Sequence, residues 1–300
     1  MFKQVLTVTS RQYTMLQKRS FASLISVQEL KSNLENVKIL DGSWHMPNSN
    51  RDPYDEFLKK RIAKSQFFHI DGIKDTSTDL PHMLPSPEVF ANAVGKLGID
   101  QHDHVVVYDT VGVFSACRVY WTFKAFGHDT VSVLNGGLPA WDGPTESGVP
   151  EKVQEKHYKV PTINTQIVRD YPTILANARK AQSNEDYIQV LDARPYARFT
   201  GQAPEPREGL SSGHMPGSIS VPFNEVVGPD GKLYDDEKLK QIFQGKGVDL
   251  SKEIITSCGS GITASILFMA LERAGAKNLA VYDGSWTEYA GRNDAIIIKI

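Results

Sequence analysis

The stretch Ser257-Cys258-Gly259-Ser260-Gly261-Ile262-Thr263-Ala264 lies between an apolar run at residues 254–255 and a helical pattern over residues 262–274. We therefore expect Cys258 at the point where a buried strand ends and a helix begins. The glycines let the backbone curl so that successive N–H groups point at one spot, and the helix N-terminus adds partial positive charge. A cysteine thiol placed there is expected to ionise near neutral pH and to act as a nucleophile.

Features that surround this stretch also occur, in the same order, about 150 residues earlier in the chain. Short apolar runs alternate with helical patterns in both halves, which predicts mostly parallel sheets flanked by helices on both faces. The matching pairs are residues 37–41 and 190–192, 67–70 and 219–223, 105–108 and 253–257, and 133–141 and 279–286. The near-constant spacing indicates an internal duplication of one α/β domain.

The duplication predicts two tandem α/β domains joined by a polar linker. We expect a leader at residues 1–23, an N-terminal domain at residues 24–146, a linker at residues 147–168 and a C-terminal domain at residues 169–300.

The two domains differ at the position of the nucleophile. Asp109 stands in the first half where Cys258 stands in the second, and its loop at residues 109–115 has a single glycine. We therefore expect the N-terminal domain to keep the scaffold without the chemistry. Cys117 falls inside the helix predicted over residues 115–126, where a small buried apolar role is expected.

The leader has a composition unlike that of the remaining chain. Lys3, Arg11, Lys18 and Arg19 occur in it without any acid, and the first carboxylate of the chain is Glu29. Basic, hydroxylated, acid-poor segments are typical of mitochondrial transit peptides. This predicts a mitochondrial location and leaves room for an additional cytoplasmic pool. The alternative is a disordered basic tail on a cytosolic protein.

The composition of the 300 residues, 40% hydrophobic and 23% charged, is typical of a globular protein. No apolar run approaches the roughly 18 residues of a membrane span. A net charge of −2 gives no reason to expect direct binding of nucleic acid or of an anionic membrane. Two cysteines support neither a disulfide framework nor a cysteine-rich zinc site, and they fit a reducing compartment.

Several chemistries use a nucleophilic cysteine in such a loop. A phosphatase loop needs an arginine for the phosphoryl oxygens, where this chain has Ala264 and Ser265. A dithiol redox motif needs a second cysteine at the position of Gly261. A persulfide carrier needs one thiolate and a ring of N–H donors. The loop alone leaves a persulfide carrier and an inert buried cysteine as alternatives.

A loop-rich stretch ahead of the cysteine strand contains Arg194, Arg198 and Arg207. Arginine binds carboxylates through two parallel hydrogen bonds. Three arginines in one irregular segment favour a pocket for an anionic substrate over isolated surface ion pairs.

Six motifs in this half resemble those of the rhodanese superfamily. They are Asp192-Ala193-Arg194, Arg198-Phe199-x-Gly201, Pro204-Glu205-Pro206-Arg207, Gly213-His214-x-Pro216-Gly217-Ser218, Cys258-Gly259-Ser260-Gly261-Ile262-Thr263 and Tyr282-Asp283-Gly284-Ser285-Trp286. Within the superfamily the chain resembles two-domain 3-mercaptopyruvate sulfurtransferases of eukaryotic, fungal type. The resemblance covers nearly the whole chain after the leader, and it implies a rhodanese-like fold in both domains.

The resemblance also bears on the sulfur donor. Thiosulfate-using members resemble Cys-Arg-Lys-Gly in the loop, whereas this chain has Gly259 and Ser260 after the cysteine. They typically lack an arginine at the position of Arg207. The resemblance therefore implies 3-mercaptopyruvate as the donor, with thiosulfate as the alternative.

The same resemblance implies roles for individual residues. Arg198 and Arg207 would hold the carboxylate and keto oxygen of 3-mercaptopyruvate, and Cys258 would take its sulfur as a persulfide while pyruvate leaves. Asp71 and His82 of the N-terminal domain would form a relay with Ser260, and His214 would be a structural turn residue. The remaining substrate-binding positions would be Gly259, Gly261, Ile262 and Thr263. No metal or organic cofactor is implied.

Two classes of acceptor follow from the resemblance. An enzyme would pass the outer sulfur to a thiol such as thioredoxin, or to cyanide in vitro. A persulfide relay protein would instead accept sulfur from a cysteine desulfurase and pass it to a sulfur-carrier activating protein in tRNA thiolation. Both hypotheses use Cys258.

Overall fold

The computed structural model of the protein describes residues 22–300, so the predicted leader lies outside the described residues except for Ala22 and Ser23. The strands of the first half are β1 (Leu24–Ile25), β2 (Lys38–Asp41), β3 (Arg61–Ile62), β4 (Gln66–Phe67), β5 (Val105–Tyr108), β6 (Val131–Leu134) and β7 (Thr145–Glu146). Its helices are α1 (Val27–Asn33), α2 (Pro53–Lys59), α3 (Pro87–Lys96), α4 (Ala116–Ala125) and α5 (Gly137–Ala140).

The second half has the same alternation of strands and helices. Its strands are β8 (Val168–Arg169), β9 (Gln189–Asp192), β10 (Ser218–Ser220), β11 (Ile254–Ser257) and β12 (Leu279–Tyr282). Its helices are α6 (Tyr171–Gln182), α7 (Tyr196–Thr200), α8 (Asp236–Gly245), α9 (Ile262–Arg273) and α10 (Ser285–Tyr289).

Each half forms a five-stranded sheet, and the two sheets have the same topology. The first has the strand order β1-β6-β5-β2-β4, and the second has the order β8-β12-β11-β9-β10. All neighbouring strands within these two sheets are parallel. The predicted α/β fold and the internal duplication are therefore confirmed, while the antiparallel pair of β3 and β7 is an addition that the sequence did not suggest.

The central strands β5 and β11 lie where the sequence has short apolar runs, and both are buried along their whole length. All four residues of each strand are buried, as expected for parallel strands covered on both faces. In the second sheet Ser257 is in register with Asp192. The loops that follow β9 and β11 consequently leave the sheet side by side at its carboxyl edge, where α/β proteins place their sites.

The strand predicted over residues 67–70 is shorter than expected, since β4 ends at Phe67. The carbonyl of His69 accepts hydrogen bonds from the amides of Gly72 and Ile73, so the chain turns away from the sheet. This early turn carries Asp71 beyond the sheet edge.

The two halves pack together through α4 and α9. The Cys117 thiol lies 3.7 Å from the Met269 sulfur, and the Tyr120 hydroxyl donates to Glu272 at 2.7 Å. One apolar cluster of buried residues runs through both halves. Cys117 is fully buried, as predicted for a small core residue. Because α4 and α9 begin directly after the Asp109 and Cys258 loops, both loops lie close to the contact between the halves.

The segment predicted as a linker is packed against the first half along part of its length. Tyr158 is 5% exposed and meets Phe90 edge-on at 5.6 Å, and the amide of Lys156 donates to the carbonyl of Gly95. The predicted domain boundaries stay predictions. Within residues 22–300 no helix has the length and apolar character needed to cross a membrane.

Candidate active site

The loop after β11 is held from one side by the start of α10. The carbonyls of Cys258 and Gly259 accept hydrogen bonds from the amides of Trp286 and Thr287, at 2.8 and 2.9 Å. The Thr287 hydroxyl adds a second bond to the Gly259 carbonyl at 2.6 Å. These bonds fix the backbone of the loop against the start of α10.

Gly261 completes the cradle around the sulfur. Its amide donates to Cys258 Sγ at 3.1 Å, and its φ of 85° lies in the left-handed region that favours glycine. A Cβ atom at this position would lie 2.5 Å from Nη1 of Arg118, so a larger residue would displace the Arg118 side chain. Ile262 begins α9, whose first-turn amides have no acceptor within the helix. The sulfur therefore accepts the Gly261 amide and lies close to a helix N-terminus, an arrangement suited to an anion.

A cleft of about 230 Å³ opens beside this cradle. Seven of the predicted site residues line it: Arg198, Arg207, Cys258, Gly259, Ser260, Ile262 and Thr263. Gly261 does not line the cleft and contributes its amide to the sulfur. The cleft also has an apolar wall that the sequence did not predict, formed by Trp44, Met46, Phe114, Leu210 and Phe223.

The three arginines of the loop-rich stretch play different parts. Arg194 is buried and bonded to Asp192 and Glu205 at 2.5 and 2.7 Å. Its guanidinium also lies over the Trp286 ring at 3.9 Å and donates to the carbonyl of Gly213. Arg194 is thus fully engaged in holding the walls of the cleft together.

Arg198 and Arg207 are the two arginines available to an anion in the cleft. Within the described chain Arg198 has no side-chain hydrogen bond or ion pair, and Arg207 has only a 3.3 Å bond from Nη1 to the Thr287 hydroxyl. Burial lowers the pKa of Arg207, while the charges of Cys258 and Glu205 act in the opposite direction. Two half-buried guanidinium groups can therefore bind a carboxylate close to the sulfur.

Asp71 and His82 meet beside the cleft without lining it. Nδ1 of His82 lies 2.7 Å from Oδ1 of Asp71, and Oδ2 of Asp71 accepts a 2.8 Å bond from the Trp44 indole. Burial lowers the pKa of His82, which leaves the ring neutral near pH 7. Burial acts to raise the pKa of Asp71, but its hydrogen bonds with His82 and Trp44 outweigh burial and lower it.

The structure thus brings Asp71 and His82 together, while their role as a relay stays a prediction. If the Nδ1 proton faces Asp71, the buried Nε2 of His82 carries a lone pair and can accept a proton. No hydrogen bond joins His82 to Ser260 in residues 22–300. The link to Ser260 stays a prediction.

The chain end at residues 296–300 docks on the second half through backbone contacts. Ile298 forms an antiparallel bridge with His214, and the amide of Ile300 donates to the carbonyl of Thr200 at 3.0 Å. His214 also stacks on Phe199 at 4.0 Å, in keeping with its predicted structural role. The tail thus supports the segment that carries Arg198 and Arg207.

Trp44 is the functional-site residue that sequence reasoning missed most clearly. It follows the strand-end acid Asp41 by three positions, as Pro195 follows Asp192 in the second half. Since Pro195 lines the cleft, aligning the two halves would have marked Trp44 as a residue at the equivalent edge. Within residues 22–300 no cluster of three or more His, Cys, Asp or Glu side chains is placed to hold a metal.

The chain matches the rhodanese-like domain family twice, at residues 26–143 and 175–292. It therefore belongs to the family of proteins built from rhodanese-like domains. It is 41% identical over 296 residues to thiosulfate/3-mercaptopyruvate sulfurtransferase 1, mitochondrial, of Arabidopsis thaliana, an alignment that covers 92% of this chain and 78% of that protein.

Two solved structures share the whole architecture. One is the sub-stoichiometric sulfur transferase subunit of yeast mitochondrial complex I, with a TM-score of 0.83, 40% identity and coverage of 93% of this chain and 100% of that one. The other is SseA from Escherichia coli, described among 3-mercaptopyruvate sulfotransferases, with a TM-score of 0.77, 34% identity and coverage of 89% and 99%. The family resemblance inferred from the motifs is thereby confirmed.

Proposed function

We propose that the protein is a 3-mercaptopyruvate sulfurtransferase that carries sulfur as a persulfide on Cys258. The observation that carries this proposal is the position of the cysteine sulfur, in an amide cradle at the floor of a cleft whose two available cations are Arg198 and Arg207. A donor with one carboxylate and a sulfur a few bonds away can use both features, the arginines for the carboxylate and Cys258 for the sulfur. The names of the Arabidopsis relative and of SseA support the same reaction class.

The first half-reaction moves one sulfur atom. The Cys258 thiolate attacks the sulfur of 3-mercaptopyruvate, the S–S bond forms, and the carbon–sulfur bond breaks with its electron pair passing to the pyruvate enolate. The enolate takes up the proton that the donor thiol gives up, which yields pyruvate. Neutral His82, oriented by Asp71, is the group proposed to move that proton by way of Ser260.

The second half-reaction removes the outer sulfur from the Cys258 persulfide. An acceptor thiolate, of the thioredoxin class in the cell, attacks the outer sulfur of the persulfide and regenerates the Cys258 thiolate. Cyanide takes the same sulfur as thiocyanate. The loop amides around Gly261, together with the hydroxyls of Ser260 and Thr263, stabilise the persulfide anion between the two steps. Covalent catalysis in two such steps predicts ping-pong kinetics.

Thiosulfate is the alternative donor, since the name of the Arabidopsis relative includes it. It carries two negative charges on a compact group, and the amides of Gly259 and Ser260 bring no additional cation to meet them. We expect a higher kcat/KM for pyruvate release from 3-mercaptopyruvate than for thiocyanate formation from thiosulfate and cyanide. A clear preference for thiosulfate would reverse the assignment of the donor.

We also propose that the protein works in mitochondria, as the names of the Arabidopsis relative and of the yeast complex I subunit suggest. A second, cytoplasmic pool, a cysteine desulfurase and a sulfur-carrier activating protein belong to the persulfide relay hypothesis. A pull-down with cysteine desulfurase, using wild-type protein and the Cys258→Ser variant, separates docking from sulfur transfer.

Mass spectrometry of the protein after mixing with 3-mercaptopyruvate tests the proposed chemistry. The peptide that contains Cys258 should gain one sulfur atom, and pyruvate should be released in equal amount. The peptide that contains Cys117 is the internal control, because burial raises the pKa of that thiol well above its usual range. Sulfur on Cys117 instead, or pyruvate release without sulfur on Cys258, would refute the proposal.

A further inference from the structure

Arg118 is a buried cation of the N-terminal half that reaches into the C-terminal half. It lies on α4, and its Nη2 donates to Oδ1 of Asp283 at 2.7 Å. The same Nη2 donates to the carbonyl of His82. The other oxygen of Asp283 accepts a bond from the amide of Leu84 at 2.8 Å. Both ends of the segment around His82 are thus bound to one ion pair that crosses between the halves.

The same guanidinium also touches the cysteine loop. Nη1 of Arg118 is the atom that a Cβ on Gly261 would meet at 2.5 Å, and Gly261 is the residue whose amide donates to Cys258 Sγ. Asp283 leads directly into Ser285, whose hydroxyl accepts a 3.2 Å bond from the amide of Cys258. The carbonyl oxygen of Asp283 would lie 3.2 Å from the same Cβ position, so both members of the ion pair lie beside Gly261.

The hydrogen bond from Arg118 also holds the backbone of His82 in an unusual conformation. His82 has a φ of 61°, a left-handed conformation that side-chain-bearing residues rarely adopt. Such a conformation persists only where surrounding contacts impose it. The hydrogen bond from Arg118 to the His82 carbonyl is one such contact, and the edge-on packing of the His82 ring against Trp44 at 4.8 Å is another.

We infer that Arg118 is a positioning residue for the proposed sulfur transfer, fixing His82 and the Cys258 loop at one spacing across the contact between the halves. The inference rests on the proposed function. It gives the N-terminal half, which has Asp109 in place of a nucleophile, a part in the chemistry through both His82 and Arg118. One guanidinium makes all of these contacts, because Nη2 binds both acceptors, Nη1 lies beside Gly261 and the planar group lies over the Trp121 ring at 4.6 Å.

Substitution of Arg118 should lower the rate of the chemical step more than the affinity for the donor. In Arg118→Ala we expect kcat for 3-mercaptopyruvate to fall on the order of 100-fold, as a small displacement of reacting groups does, with KM changed by less than about 3-fold. Arg118→Lys keeps the charge without the planar group that lies over Trp121 and beside Gly261, and it should recover only part of the loss. Added guanidinium chloride, at concentrations that do not denature the protein, should raise kcat of Arg118→Ala and leave that of Arg118→Lys unchanged.

Arg61 supplies the matched control. It is also a buried arginine of the N-terminal half, bonded to Glu146 and to the carbonyl of Gly148 and placed over the Phe57 ring, and it does not line the cleft. Arg61→Ala should lose thermal stability while kcat stays near the wild-type value. Equal losses of kcat in Arg61→Ala and Arg118→Ala, or a folded Arg118→Ala with unchanged kcat, would overturn the inference.

A measurement without a sulfur donor separates this inference from the proposed function. Alkylation of Cys258 by iodoacetamide should be slowed about 5-fold or more in Arg118→Ala, because the Gly261 amide that contacts the sulfur is displaced, and should be unchanged in Arg61→Ala. Wild-type protein that fails to form a persulfide refutes the proposed donor chemistry, whereas unchanged alkylation in a folded Arg118→Ala refutes the positioning role. If Arg118→Ala does not fold, Arg118→Lys takes its place in both assays.

Discussion

The Asp109 loop and the Cys258 loop occupy the same position in the two halves and surround different side chains. The Asp109 carboxylate is fully buried and accepts four backbone amides, from Val111 and Gly112 on one oxygen and from Phe114 and Ala116 on the other, each at 2.9 Å. Burial raises the pKa of Asp109, and these amides oppose the rise. The backbone N–H groups of this loop thus converge on one point and form an anion-binding nest. In the first half the Asp109 side chain occupies the nest.

In the second half no carboxylate occupies the corresponding loop, which leaves room for the sulfur that Cys258 is proposed to transfer. There Cys258 contributes only a sulfur atom, which Gly261 meets with one amide while the cleft stays open beside it. The filled loop has become a contact surface instead: the amide of Val113 donates to the carbonyl of Gly231 at 2.8 Å, and Phe114 packs against Phe223 at 5.7 Å. The comparison shows that the same duplicated loop can have two roles. Where its amides bind a carboxylate of the loop itself, it forms a contact between the halves, and where they face an open cleft, it can carry sulfur.

Exchanging the anion in the second loop should give the largest effect. Cys258→Asp should abolish sulfur transfer and refill the nest, so the variant should resist urea better than Cys258→Ser, which is equally inactive. Loss of at least about 10³-fold in pyruvate release is expected for both variants. The control is Cys117→Ser, which changes the cysteine outside the cleft and keeps Cys258. This variant should retain activity. A Cys258→Asp variant less stable than Cys258→Ser would contradict the equivalence of the two nests.

The arginine clamp is the second difference between the halves, and Arg207→Ala tests it. We expect kcat/KM for 3-mercaptopyruvate to fall about 100-fold, because a charge-assisted pair to its carboxylate is lost. The loss with thiosulfate should stay below about 10-fold, since that donor has no carboxylate. Arg179, exposed on α6, is the matched control, and Arg179→Ala should leave both rates unchanged. Equal losses on both donors would count against the clamp.

The predictable part of the site follows from sheet geometry. Short apolar runs bounded by turns predict parallel strands, and the carboxyl ends of such strands share one edge. That reasoning was enough to bring Arg198, Arg207 and Cys258 to one cleft. The internal repeat predicted that there are two domains, and it showed that Asp109 stands in the first half where Cys258 stands in the second.

The parts of the site that the sequence did not reveal depend on contacts between the halves. Arg118 lies in a helix whose other residues are almost all buried, and no local pattern marks which charged side chain of such a helix faces another domain. Trp44 reaches Asp71 only because β4 ends early and the chain turns at His69. The edge strands β1 and β8 have two residues each, too few for a period-two pattern.

Emptying the first nest should reduce stability rather than activity. In Asp109→Ala four backbone amides, two of them buried, lose their acceptor, and we expect the free energy of unfolding to fall by about 3 kcal/mol. Asp109→Asn keeps one acceptor oxygen and should lose less. Urea denaturation measures both variants, and added formate should restore part of the loss in Asp109→Ala by entering the vacated nest. A loss below about 1 kcal/mol would mean that the nest does not depend on its anion.

The strand-end acids Asp41 and Asp192 give the smallest expected effect, and it depends on pH. Asp192 is paired with Arg194, whereas Oδ2 of Asp41 is buried without a hydrogen-bond partner among the described residues. Burial raises the pKa of Asp41 from 3.8 to about 6. The folded protein therefore holds a proton on Asp41 that the unfolded chain has already lost. This lowers the free energy of unfolding as the pH rises from about 4 through about 6.

Asp41→Asn removes that titration, so the variant should gain about 2 kcal/mol relative to wild-type protein between pH 4.5 and pH 7.5. Urea unfolding of both proteins at the two pH values measures this difference, in which the other titrating groups cancel. Asp192→Asn should instead lose stability at both pH values, because it leaves the Arg194 charge buried with a weaker partner. A difference between wild-type protein and Asp41→Asn that does not change with pH would show that Asp41 stays ionised in the folded state, so that both halves would carry a charged acid at the end of this strand.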